Sequence, residues 1–161
     1  MGKKKKEKTN AIRLVEQHQV SYTEHEYSWS EDQLGAEHVA KELDQNIARI
    51  FKTLVVTGNK RGPLVAVVPG GQELDLKKMA KLSQNKKVEM LPLKDLEKTT
   101  GYIRGGCSPI GMKKQFPTYI DQTAQDFSSI LVSAGKRGLQ IELAPEDLVE
   151  LVGGTLADIT M

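Results

Sequence analysis

Lys52 stands inside Phe51-Lys-Thr-Leu-Val-Val-Thr57, a segment rich in β-branched residues and so a predicted strand. Alternation puts it on the face of Leu54 and Val56, opposite Phe51, Thr53 and Val55. If both faces are covered, the ammonium needs a partner, a cavity or a substrate. The plainer alternative is a strand-end lysine that reaches solvent along its stem. A second concentration is Arg104-Gly-Gly-Cys-Ser-Pro-Ile-Gly111, with three glycines, a proline, a serine and the only cysteine in eight residues. Glycine lets another molecule approach the main chain closely. Pro109 removes a donor and biases Ser108 toward an extended conformation. The segment reads either as a tight connection or as a shaped loop whose N–H groups hold a carbonyl oxygen. His25 and Tyr27 are two apart on an extended segment, share a face, and could position a substrate by hydrogen bonding.

Other chemistries find less support. Cys107 with a distant histidine would form a nucleophile–base pair, but a lone cysteine among Gly, Ser and Pro is more often a packing residue. Three scattered histidines and one cysteine give no zinc spacing, and no metal is expected. Neither Gly105-Gly106 nor Gly135–Gly138 matches a phosphate-binding motif, which argues against ATP or NAD, and no cofactor is expected. Asp121 reads as a turn cap.

These residues need a scaffold. Thr9 is positioned to cap a helix to about His18. Residues 20–27 read as extended, and Ser30 is the next cap, ahead of helically spaced Ala36, Val39, Ala40 and Leu43. Residues 51–57 and 64–68 form a predicted hairpin. Short helices follow over 75–82 and from Pro92 to about Lys98, with a short strand over 87–90 between them. Strands over 118–120, 129–133 and 139–143 precede a helix opened by Pro145 and a last strand over 156–159. Strands and short helices intermingle, so the fold class is α/β, a mixed single domain.

Of 161 residues, 39% are hydrophobic and only 5% aromatic, so aliphatic side chains fill the core. The net charge of +2 is uneven. Residues 1–10 carry five lysines and one glutamate, while the remaining 18 basic and 20 acidic side chains leave the body at −2. Residues 1–9 read as a disordered basic tail and 10–161 as the folded domain. No apolar run is long enough to cross a bilayer, and a single cysteine fits a cytoplasmic protein without membrane contact.

Five blocks now occur in order: Phe51-Lys-Thr-Leu-Val-Val, Leu74-Asp-Leu-Lys-Lys, Thr100-Gly-Tyr-Ile-Arg-Gly-Gly-Cys-Ser-Pro-Ile-Gly, Pro117-Thr-Tyr-Ile-Asp and Ser133-Ala-Gly-Lys-Arg-Gly-Leu-Gln-Ile-Glu-Leu. In these blocks the chain resembles the YbaK/EbsC group of the prolyl-tRNA synthetase editing-domain superfamily, from about Asn10 onward. The resemblance implies a curved, mostly antiparallel or mixed central sheet flanked by short helices. It implies a free-standing, metal-independent aminoacyl-tRNA deacylase that clears cysteine from tRNA(Pro), with tRNA(Cys) as a further substrate and prolyl-tRNA synthetase as a partner. It also implies that the substrate's own thiol attacks its carbonyl. Lys52 and Gly105 take the catalytic positions. Tyr27, His25, Thr53, Gly106, Ser108, Pro109, Ser133 and Gly135 take the substrate-binding ones. Three positions depart from close relatives: Gln140 replaces an aspartate, Ala134 a glycine and Arg104 an apolar residue. These departures keep two alternatives open: a deacylase for another small amino acid such as alanine, and a non-catalytic module that binds aminoacyl-tRNA or a synthetase, or regulates.

Overall fold

The computed structural model describes residues 8–161. The basic tail expected over 1–9 lies outside the described residues up to residue 7. Lys8 is described and pairs with Glu16 at 2.7 Å. Thr9 caps α1 (Asn10–Gln17) by accepting from the Ile12 N–H. Its hydroxyl also donates to the Ala134 carbonyl, which ties the start of the domain to the turn after the strand ending at Ser133.

After β1 (Thr23–Glu26) comes α2 (Ala36–Leu43). This helix does not start at the expected Ser30 cap. Ser30 forms an isolated bridge with Gln33, and Gly35 takes the cap position without a side-chain hydrogen bond. A 3-10 turn, Ile47–Arg49, leads into β2 (Phe51–Gly58), which folds back on β3 (Gly62–Pro69). The hairpin pairs Phe51 with Pro69 through to Gly58 with Gly62. Next come α3 (Leu76–Leu82), β4 (Val88–Met90), α4 (Leu93–Thr100) and β5 (Thr118–Asp121). The chain closes with β6 (Ile130–Ser133), β7 (Leu139–Leu143), α5 (Pro145–Val152) and β8 (Thr155–Ala157).

The strands form two ladders. A five-stranded mixed sheet runs β4-β2-β3-β5-β8, and a three-stranded antiparallel sheet runs β1-β7-β6. A parallel bridge between Ile50 and Leu131 joins them. One apolar core fills the space among both sheets, α1 and α5, with Val65, Val67, Ile120, Ile141 and Leu148 fully or almost fully buried. A second lies on the other face of the hairpin, where Val56, Ala66 and Val68 meet Met79 and Ile159. Asp121 serves as the expected cap. It accepts from the Thr123 hydroxyl at 2.6 Å and from the Ile159 N–H at 3.1 Å, so it fastens the C-terminal segment. Among the described residues no helix is long and apolar enough to cross a membrane.

The junction of the two ladders leaves a gap along β2. β4 pairs with β2 only over Val56–Gly58, and the bridge engages only Ile50. The Gly70 N–H donates to the Ile50 carbonyl at 2.7 Å. This sets the phase of the hairpin: Ile50, Lys52 and Leu54 bond toward β3, so the N–H and C=O of Thr53 face the unpaired side.

Candidate active site

A cavity of about 370 Å³ occupies that gap. Its floor is β2 from Phe51 to Val55. Ser133 and Gln140 come from the three-stranded sheet, Tyr27 from the residue after β1, Val39 from α2, and Leu93 and Leu96 from α4. The loop Arg104–Cys107 closes it.

Lys52 is half-buried, and its Nζ donates to the Gly70 carbonyl at 3.3 Å. No carboxylate pairs with it among the described residues. Its face is the expected one, since neighbouring Leu54 and Val56 belong to the second core while Phe51 belongs to the first. Two other polar atoms of the cavity are more telling. Thr53 Oγ1 and Gln140 Oε1 are buried and have no hydrogen-bond partner among the described residues. Folded proteins satisfy nearly all such atoms, and leaving one bare costs roughly 1–3 kcal/mol. Both residues line the cavity, Thr53 from β2 and Gln140 from β7.

The loop wall depends on its glycines. Gly105 has φ +84°, and a Cβ there would meet Leu34 at 2.9 Å. Only glycine adopts this backbone at no cost while Leu34 packs against it. Gly106 does not line the cavity. A Cβ on it would lie 2.9 Å from the Lys136 backbone, so its role is to let the loop lie against the 135–138 turn.

Of the ten expected site residues, the cavity therefore gathers Lys52, Gly105, Tyr27, Thr53 and Ser133. Ser108 sits behind the wall, fully buried, its Oγ accepting from the Ile110 N–H. Pro109 is buried beside it. Gly135 packs against Tyr102 and Thr9. His25 shares the face of Gln140, its pairing partner on β7, but its Nε2 is engaged by Glu142 at 2.8 Å. That carboxylate also accepts from Arg49 at 2.7 Å and from the Ser129 hydroxyl. The Ser129 hydrogen bond, ahead of those from His25 and Arg49, holds the Glu142 carboxyl down at about 2 despite partial burial.

Cys107 lines the cavity. Burial pushes its thiol up to about 11, which leaves on the order of one thiolate in 10⁴ at neutral pH. No histidine lines the cavity. His18 contacts the Leu14 carbonyl and His38 the Ser28 carbonyl, so the pairing of Cys107 with a histidine does not occur among the described residues. Sequence reasoning flagged Gln140 and Arg104 only as departures and missed Leu34 entirely. Nothing local distinguishes Gln140 in Leu139-Gln-Ile-Glu-Leu143, and its ladder partner His25 lies far away in the sequence.

The family model for the aminoacyl-tRNA editing domain matches residues 30–151. The chain is 68% identical over 161 residues to EbsC of Enterococcus faecalis, named as a candidate Cys-tRNA(Pro)/Cys-tRNA(Cys) deacylase, with 99% of this chain and 98% of that one covered. It is 35% identical over 81 residues, half of this chain and 14% of the other, to a proline–tRNA ligase of Elusimicrobium minutum. A solved structure described as a candidate trans-editing enzyme for prolyl tRNA synthetase superposes with a TM-score of 0.81 at 22% identity, covering 96% of this chain and 99% of that one.

Proposed function

The chain belongs to the aminoacyl-tRNA editing domain family, and we propose that it is a deacylase that acts in trans on cysteine esterified to tRNA(Pro), with cysteinyl-tRNA(Cys) as a further substrate. One observation carries the reading. Lys52, whose ammonium pairs with no carboxylate among the described residues, lines one cavity with Thr53 and Gln140, each of which carries a buried oxygen without a hydrogen-bond partner there, and no histidine joins Cys107 in that lining. Such a site binds and orients, and orientation alone accelerates an intramolecular step. The similarity to the Enterococcus faecalis protein supports the substrate assignment.

The aminoacyl ester enters with its carbonyl against the Gly105 backbone. Lys52 holds the terminal phosphate or a ribose oxygen. Gln140 Oε1 and Thr53 Oγ1 accept from the substrate's α-ammonium, which supplies the donors they lack. Tyr27 and Ser133 close the sides. The substrate's thiol then attacks its own carbonyl carbon. A C–S bond forms and the C–O bond to ribose breaks. The thiol proton passes to the departing ribose oxygen, and a cyclic thiolactone leaves.

The test charges tRNA separately with cysteine, alanine, serine and proline and follows ester loss. Cysteine is expected to be lost fastest. Equal loss of alanine would replace the thiol by water as the nucleophile, and no loss of any ester would overturn the reading. A body of charge −2 can hold only part of a tRNA, so prolyl-tRNA synthetase is the expected source of tRNA specificity. A tRNA-dependent complex with that enzyme at low salt is the result to look for. The setting is the cytoplasm, where these substrates are made.

A further inference from the structure

A second groove, of about 440 Å³, continues from the cavity, and Leu34, Leu93, Leu96 and Arg104 line both. We propose that this groove is a second nucleotide subsite, which takes the cytidine preceding the terminal adenosine of tRNA together with the phosphate that links them. The inference rests on the deacylase reading and extends it outward from the reacting ester.

The groove has the chemistry of a single nucleotide. Leu93 and Ile103 present apolar side chains that are 59% and 42% exposed, suited to the flat face of an unstacked base. Three cations, Lys94, Arg104 and Arg137, outnumber Glu31 and Glu97 along it. A guanidinium grips phosphate through paired N–H donors. Arg137 is prepared for this. Its Nε donates to the Arg104 carbonyl at 2.8 Å, and its guanidinium lies 5.2 Å from the centre of the Trp29 ring. Those contacts fix the plane of the group, while its terminal nitrogens have no carboxylate partner among the described residues. The Trp29 ring is in turn braced by Gly138, where a Cβ would come within 2.8 Å of it. The two carboxylates fit the exocyclic amine of cytosine, a donor. Arg104 joins the two spaces, so a phosphate at its side chain would sit between a nucleoside in the cavity and one in the groove.

The test compares 3′-cysteinyl esters of adenosine and of the dinucleotide cytidylyl-adenosine, with binding of the two unesterified compounds measured in parallel. The dinucleotide ester should show at least about fivefold higher kcat/KM, and that gain should shrink as salt rises. Arg137→Ala should bring the ratio of the two esters toward one, and Lys94→Glu on the exposed face of α4 should lower it independently. Equal kcat/KM for both esters, or a ratio untouched by both substitutions, overturns the subsite and leaves the deacylase reading standing. Tighter, Arg137-dependent binding of the free dinucleotide without cleavage of either ester supports the subsite and overturns the deacylase reading. No preference in binding or in cleavage overturns the subsite whatever the activity.

Discussion

Gln140 and Glu142 stand two residues apart on β7 and so on the same side of the sheet, yet their surroundings are opposite. Glu142 gathers His25, Arg49 and Ser129 within hydrogen-bond distance. Gln140 is 5% exposed, and its Oε1 has no partner among the described residues. Buried polar groups are normally satisfied by the protein itself. Glu142 follows that rule and locks the first strand and the 3-10 turn onto β7. Gln140 breaks it, as does Thr53 Oγ1 on β2, and both residues line the cavity. A satisfied cluster holds the frame, and the bare oxygens next to it define what the frame is for. His25 belongs to the first region and Tyr27 to the second, although sequence alternation gives them the same face.

The largest effect should come from the cavity side. Lys52→Ala is expected to lower kcat/KM on cysteinyl-tRNA by on the order of 10²-fold, the scale of losing a charge-assisted contact to substrate. Among the described residues its side chain makes one hydrogen bond, of 3.3 Å to the Gly70 carbonyl, so the thermal midpoint should hardly move. Unchanged turnover would remove Lys52 from the site.

A paired substitution tests the contrast itself. Glu142→Gln removes a charge with three partners and should cost about 1–2 kcal/mol of stability at neutral pH, discounted for partial exposure. Gln140→Leu removes an atom with no partner, so it should leave stability level or raise it while reducing activity. The pH dependence carries a sign. Because the folded Glu142 carboxyl titrates near 2, below its ordinary 4.5, its contribution is whole above about pH 4.5 and fades as pH falls toward 2. The stability gap between wild type and Glu142→Gln, measured by denaturant melts, should close over that window. A constant gap would mean that the cluster is not held by the charge.

The readable parts of the sequence were those whose cause is local. β2 follows from its β-branched run, α5 from Pro145 at its start, and α3 from Asp75, whose carboxylate accepts from the Lys77 and Lys78 N–H groups. Lys52 and Gly105 stood out because their residue types are unusual where they sit. The start of α2 was misread because residues 31–34 are spent on setting Leu34 against Gly105, a contact across 71 positions of chain. The same holds for His25, whose partner Glu142 arrives from β7. Alternation gives a face, but only the pairing of distant strands gives the neighbour. Gly106 and Gly135 were legible as glycines that matter, yet what they meet is backbone and side chains of other loops.

Cys107 makes the smallest prediction and the sharpest division between the two nucleophiles available. It is the protein's own thiol, in contact with the cavity, and the mechanism leaves it idle. Burial disfavours its thiolate, and no histidine is among the residues that line the cavity. Cys107→Ala should therefore keep deacylation within about twofold of wild type, at a cost of roughly 1 kcal/mol for the small void it leaves beside Val55 and Tyr102. The decisive readout is the product formed by this variant. If the attacking sulfur comes from the substrate, the released amino acid passes through the thiolactone with or without Cys107, and an added amine nucleophile, which opens the cyclic thioester, captures it equally in both. Loss of turnover in Cys107→Ala with an unchanged melting curve would return the nucleophile to the protein, and the bare oxygens of Thr53 and Gln140 would then orient an acyl-enzyme in place of a cyclising ester.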